Sequence, residues 1–328
     1  MKKMVFRLLP LIDLLLAIPA WPAAWVLKAV RRIGVHRLPA CRRLLLGIGV
    51  FPIRNHYYEP QFDYRNKRQP FTDDRMLPGV DWNLRTQLAL LAKFTYADEL
   101  AGLPRTKPGE LGYYLENDSF LSGDAEYWYQ LIRTFKPARI FEIGSGNSTL
   151  MAMRAIRKNL ADDPRYQCKH VCIEPYEQPW LEDTGVTVCR ERIEDLDLAF
   201  FSELGEDDVL FIDSSHVIRP QGDVLFEYLE LLPRLNKGVI VHVHDIFSPK
   251  NYPTRWLEDE VVFWNEQYLL EAFLSHNRDW KVIGALNYLH HKHYRELKTV
   301  APFLTPEREP GSFYVQRINA PDGPEINL

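Results

Sequence analysis

Phe141-Glu142-Ile143-Gly144-Ser145-Gly146-Asn147-Ser148-Thr149 is the stretch on which the fold turns. Arg139 and Ile140 precede it, so RIFEI forms a short apolar run with the length and β-branching of a buried strand. STLMAMRAIRKNL follows, with its apolar residues at helical spacing. A strand running straight into a glycine turn and then a helix presents unpaired helix-terminal amides at that turn. Gly144 and Gly146 lack a Cβ and let a ligand approach the backbone closely.

The alternation continues toward the C-terminus. KHVCIEP (169–175), VTVCRERI (186–193) and DVLFIDSS (208–215) read as strands, and DVLFEYLELLPRL (223–235) as a helix. The strand GVIVHVHD (238–245), the helix WNEQYLLEAFLSHN (264–277) and the strands WKVIG (280–284) and SFYVQRI (312–318) complete the series. Strands alternating with helices predict a doubly wound α/β domain, mainly parallel and covered on both faces, and two closing strands allow one antiparallel member. Toward the N-terminus, Gly123 and Asp124 introduce an apolar-periodic helix that stops near Pro137. Residues 44–116 are rich in turn formers, with one amphipathic stretch from Leu84 to Leu100, and read as a helical lead-in.

The ligand expected at the turn follows from its chemistry. Thr149 stands where G-x-G-x-x-G would have its third glycine, which disfavours a dinucleotide pyrophosphate. Glu142 would repel a diphosphate and attract the ammonium and sulfonium of S-adenosylmethionine. Ser145, Ser148 and Thr149 complete the expected loop contacts. Glu174, ending the next strand, can accept ribose hydroxyls in the crevice at the strands' carboxyl ends. Arg192 and Ile193 would border the adenine, with Glu194 or Asp195 accepting its amino group. A bare strand-to-helix turn without ligand, and a solvated Glu174, are the alternatives.

Two strand ends are unusually polar: Asp213, Ser214, Ser215 and His216, and His242, His244 and Asp245. Both open into the same crevice in a parallel sheet, and His242 and His244 share a strand face. Asp213, His244 and Asp245 could hold a divalent cation, or His216 or His244 could act as general base; the alternative for each histidine is a hydrogen bond to the sheet edge or a cap.

Overall composition sets limits. Across 328 residues the formal net charge is -4, with 46% hydrophobic and 26% charged residues, which offers no bulk attraction to nucleic acid. Cys41, Cys168, Cys172 and Cys189 lack paired spacing and read as reduced packing residues rather than a finger-like zinc site. Up to Arg43, however, the basic residues face a single carboxylate, Asp13. Within this segment Leu14–Leu27 is uncharged, shorter than the ~20 residues of a spanning helix and interrupted by Pro19 and Pro22. A peripheral anchor on an anionic membrane surface is expected for residues 1–43, with Trp21 and Trp25 at headgroup depth. Docking on the protein's own core, a signal peptide and a spanning helix are the competing readings.

At these residues the chain resembles the class I S-adenosylmethionine-dependent methyltransferases, within a bacterial subgroup similar to macrocin-type sugar O-methyltransferases. E-x-G-x-G carries the resemblance to the superfamily, and IDSSH with HVHDIF that to the subgroup; it covers about residues 117–318, leaving 319–328 as a tail. The resemblance implies a seven-stranded Rossmann-like sheet whose last two strands form a hairpin. It implies that Glu142, Gly144 and Gly146 hold the methionine part, Glu174 the ribose, and that Asp213 lies near the transferred methyl. Metal-dependent relatives place acidic and amide residues at the ends of the fourth and fifth strands; here His244 precedes Asp245. A sugar hydroxyl in a surface polysaccharide or lipid-linked glycan is the implied acceptor, with Tyr113, Tyr114, Tyr127, Trp128, Trp256 and Trp264 as candidate stacking partners or core residues. A cytoplasmic location on the inner membrane face and an oligomer are compatible with this. The competing functions are a nicotinamide-dependent sugar oxidoreductase on the same sheet and a non-catalytic membrane-docked scaffold.

Overall fold

The computed structural model describes residues 2–320 and divides into two compact units, Met1–Arg68 and Gln69–Leu328. The division falls inside the expected lead-in, because Leu90, Leu91, Phe94, Leu100, Leu103 and Tyr113 belong to the same buried cluster as the sheet. Of the expected tail, residues 321–328 lie outside the described residues.

In the first unit, α1 (Lys2–Ile33) runs unbroken through Pro10, Pro19 and Pro22. Within its own unit, Leu14, Leu15 and Leu16 are all exposed, whereas Val30, near the C-terminal end of the helix, is buried. Leu8–Ile33 is long and apolar enough, by length and composition, to cross a membrane. α2 (Pro39–Ile48) begins on a proline and stops at Gly49, whose left-handed backbone lets its N–H cap Leu45 and Leu46. Glu59 accepts two hydrogen bonds from Arg31, at 2.7 and 2.8 Å, closing the unit on itself.

The second unit is built on a sheet of seven strands: β1 (Arg139–Ile143), β2 (Lys169–Ile173), β3 (Thr187–Cys189), β4 (Val209–Ile212), β5 (Ile240–Val243), β6 (Trp280–Ala285) and β7 (Phe313–Arg317). Their spatial order is β3-β2-β1-β4-β5-β7-β6, with β7 antiparallel to both neighbours. Strand alternation divides the core in two. Ile140, Val209, Phe211 and Ile240 enter one cluster, and Phe141, Ile143, Leu210, Ile212, Val241 and Val243 enter the other. α3 (Leu84–Leu91), α4 (Asp124–Phe135) and α5 (Asn147–Asp162) join the first cluster. α6 (Asp223–Phe226), which winds on through a wider turn to Arg234, and α7 (Glu266–Leu274) join the second.

Three expectations are corrected here. The amphipathic stretch from Leu84 stops helically at Leu91 and resumes only as a 3₁₀ turn, Ala97–Leu100. The strand expected over 186–193 ends at Cys189, because Arg190 turns its guanidinium onto the carbonyls of Glu174 (2.7 Å) and Glu177 (2.6 Å). β6 and β7 are joined not by a tight hairpin but through α8 (Leu286–Lys292) and α9 (Tyr294–Val300).

Candidate active site

Register assembles the site. β1 pairs Ile143 with Ile173 and Ile212, and β4 pairs Ile212 with Val243. The next residue of each strand therefore falls in one row: Gly144, Glu174, Asp213 and His244. The ladder continues into that row, with Gly144 N donating to Ile173 O (3.0 Å), Asp213 N to Ile143 O (2.9 Å) and His244 N to Ile212 O (2.9 Å). β1 and β4 are the strands at which the winding reverses, the place where ligands bind in open α/β sheets.

Gly144 is required at its position twice over. Its φ is +78°, and a Cβ there would lie 2.0 Å from the Asp213 carbonyl oxygen. Gly146 N donates to Thr149 Oγ1 at 3.1 Å, so Thr149 is a buried clasp of the turn rather than part of the cavity wall. Glu142 also departs from expectation. It is fully buried beneath the turn, its Oε2 lies 2.6 Å from His170 Nε2, and its side chain lines neither cavity of the cleft. Two residues beyond Ile140 on a pleated strand, it points to the same face as Ile140, the one covered by α4 and α5.

Two adjoining cavities occupy the cleft. One, of about 380 Å³, is bounded by Gly144, Glu174, Tyr176, Arg192, Ile193 and Glu194. Glu174 is held in place there: Oε1 accepts from Tyr176 N (3.2 Å) and Glu177 N (3.0 Å), and Oε2 from Ser145 N (3.2 Å). Asp195 is not on this wall and pairs with Arg192 instead. The other cavity, of about 320 Å³, is bounded by Ser145, Gly146, Asn147, Ser148, Gln178 and Trp180, with Tyr114, Leu111 and Lys107 toward its outer side. Asp213 borders both cavities and His244 the second.

Around Asp213 the expected groups converge. Its Oδ1 is 3.3 Å from His216 Nε2 and 3.5 Å from His244 Nδ1, and Asp245 stands 3.7 and 3.6 Å from the same two nitrogens. Behind His216, Glu266 Oε2 lies 2.8 Å from Nδ1 and Trp264 packs against the ring. His216 (φ 59°) and Asp245 (φ 58°) both occupy the left-handed region, which is costly for residues with a side chain and concentrates where the surrounding structure fixes a functional geometry.

Burial opposes charging either imidazole, but the carboxylates prevail: Asp245 and Asp213 raise His244 to about 9, and Asp213 and Glu266 raise His216 well above its ordinary value. Burial opposes ionisation of Asp213 as well, yet His244 and His216 hold it far below the carboxylate range. Burial pushes Asp245 upward. The surrounding carboxylates thus draw both imidazoles toward the protonated form, in which neither nitrogen can accept a proton.

His242 is excluded from the site. One pleat deeper than His244, it stacks on Tyr314 at 4.1 Å and meets Phe211 edge-on, and burial lowers its pKa well below 6.5, keeping it neutral. Tyr113, Tyr127 and Trp128 are likewise core, whereas Tyr114 lines the second cavity and Trp256 packs with Trp264 in a separate cluster. Sequence reasoning missed Glu266, Gln178 and Trp180. Nothing local marks the last two, while Glu266 is one of two acids, with Glu271, on the buried face of α7, a legible anomaly.

An open α/β sheet of this strand order, with an antiparallel seventh strand and an acidic glycine turn at its reversal point, defines a class I S-adenosylmethionine-dependent methyltransferase. Residues 141–246 match the family described as a methyltransferase domain. An uncharacterized protein of Archaeoglobus fulgidus is 31% identical over 172 residues, 48% of this chain and 75% of that one. Residues 141–246 thus carry a methyltransferase domain. Among solved structures, the plantazolicin methyltransferase BpumL with SAH is 14% identical at a TM-score of 0.32, over 60% of this chain and 83% of that one. The same enzyme with a triazolic desmethylPZN analog and SAH gives 13% and 0.33.

Proposed function

We propose that the chain is an O-methyltransferase acting on a sugar hydroxyl of a surface or lipid-linked glycan. The observation that carries this is Asp213, on the common wall of the two cavities, with His244 and Asp245 beside it. In this reading Glu174, Arg192 and Ile193 hold the adenosyl part, and Gly144, Ser145, Gly146 and Ser148 hold the methionine part. Glu142 and Thr149 act from beneath, by shaping the turn. Asp213 then faces the sulfonium, and Asp245, the carboxylate raised by burial, stands just behind the cavity wall beside His216 and His244 and takes the hydroxyl proton once the bound acceptor reaches it. Tyr114 and Trp180 offer stacking faces for a sugar ring.

Binding and chemistry are tested separately. Calorimetry should show S-adenosylmethionine binding and no NADH binding; the reverse result would install the oxidoreductase. Transfer of labelled methyl from the donor into an isolated glycan fraction should require Asp213, and label appearing only in peptide would refute the sugar acceptor.

A second reading of the same cluster has its own support: one ligand atom each from Asp213, His216 and Asp245 lies within 4.8 Å of the others. Two carboxylates and an imidazole suit a divalent cation, which would supply Lewis-acid activation of the hydroxyl. Turnover that stops with EDTA and returns with Mg²⁺ or Mn²⁺ favours this reading, and unchanged turnover favours Asp245 alone.

The anchoring of the enzyme belongs to the proposal too. α1 carries a stretch of 26 residues, Leu8–Ile33, whose overall hydropathy suits a membrane although it includes Asp13, Lys28, Arg31 and Arg32; it spans about 39 Å at ~1.5 Å per residue against a hydrocarbon core of ~30 Å. Prolines are tolerated in such helices, and Lys28, Arg31 and Arg32 lie at its C-terminal end, as a cytoplasmic flank requires. The helix thus supports a spanning anchor over the peripheral one, with catalysis on the inner face. Full-length protein should resist extraction from membranes by alkaline carbonate; release would restore the peripheral mode.

A further inference from the structure

Away from the cleft, α8 ends in Leu289-His290-His291-Lys292. His290 is buried and His291 reaches outward, yet their ring centroids are only 5.0 Å apart. From the segment preceding β7, Glu309 brings Oε2 to 2.8 Å from His291 Nε2. One nitrogen from each ring and one carboxylate oxygen of Glu309 lie within 4.8 Å of one another.

The tautomer of His290 is fixed by its surroundings. Nε2 faces the Pro306 carbonyl at 3.2 Å, and a carbonyl can only accept, so the ring proton sits there. Nδ1 is then a bare lone pair, and it is buried without any hydrogen-bond partner. Such an orphan costs free energy unless something occupies it. Asn287 Nδ2 donates to Glu309 Oε2 at 2.7 Å and orients the carboxylate. A histidine whose outer nitrogen is tied to a carbonyl, beside a carboxylate held by an amide, has the outer-sphere support typical of metal ligands.

We propose that His290 Nδ1, His291 Nε2 and Glu309 form a binding site for a zinc-like divalent cation. Its fourth position opens on a separate cavity of about 170 Å³ lined by Asn287, His291, Glu309, Phe247, Lys250 and Tyr252. Bonds of ~2.0–2.2 Å in a tetrahedron place ligand atoms roughly 3.4 Å apart, so small side-chain rotations complete the sphere. The site stands close to the chemistry in chain terms. Two residues beyond Glu309, a Cβ on Gly311 would meet Asp245 Cα at 3.2 Å, and Gly311 N and Ser312 N donate to Asp124 at 3.0 and 2.7 Å. A bound cation ties α8 to the segment that backs Asp245.

The test uses untagged full-length protein stripped with EDTA, with Asp213→Asn introduced to remove the cleft as a competing site. Titration with Zn²⁺ against a chromogenic chelator should give one tight equivalent, and Co²⁺ should give the intense visible bands of a tetrahedral site. His291→Asn and Glu309→Gln, at partly exposed positions, should each weaken binding at least about 100-fold. Their melting temperatures in EDTA should match the parent's, while Zn²⁺ raises only the parent's. Absence of a stoichiometric equivalent, or binding untouched by both substitutions, overturns the proposal and leaves His291–Glu309 an ordinary hydrogen bond.

Discussion

At Gly144 the smallest side-chain change is also the most disruptive. A methyl group there meets the Asp213 carbonyl and must adopt a positive φ, so Gly144→Ala should cost about 1–3 kcal/mol in urea unfolding and weaken S-adenosylmethionine binding in calorimetry. Intact binding would show that the turn does not hold the donor. His244 provides a pH signature. Its folded value of about 9 lies above the ~6.5 of an unfolded chain, so protonation favours the native state. That stabilisation is complete below about pH 6.5 and is lost as pH rises through 9. The melting temperature should fall across that window, and His244→Gln should flatten part of the fall. In turnover, Asp245→Asn should lower kcat by about 10²- to 10⁴-fold if it is the base, with little change in donor affinity.

Among the elements, the α4–α5 pair holds the turn from behind. Arg133, buried on α4, donates to Glu99 at 2.8 and 2.9 Å and binds Asn159 and Asp162 of α5. Arg133→Ala leaves Asn159 Oδ1 without its donor and Glu99 with Tyr129 alone, and should cost about 3 kcal/mol, read as a lower denaturation midpoint. The loss should be smaller for Arg133→Lys, which keeps the charge but not the planar fork. Elements also show where local sequence misleads. The pattern of 186–193 is strand-like throughout, yet Arg190 is drawn off the sheet to clamp three carbonyls of the loop after β2. α8 and α9 were not read at all, since LNYLHHK and YRELKTV are too short for their spacing to stand out.

For the whole molecule, the division at Arg68 suggests a separable catalytic unit. A chain beginning at Gln69 should be soluble without detergent and bind S-adenosylmethionine as the full chain does. Aggregation of that fragment, or loss of binding, would show that residues 1–68 belong to the folded core.

The strands, the glycine turn and the acids and histidines at Asp213, His216, His244 and Asp245 were legible in the sequence, because alternation and strand-end polarity are local, periodic properties. Strand neighbourhood was not. Register decided that His242 is packing and His244 is not, that Glu142 lies under the turn, and that Glu266 stands behind His216. These depend on which chain segments meet across the sheet, and that is settled by packing between residues tens to hundreds of positions apart, which no local spacing encodes.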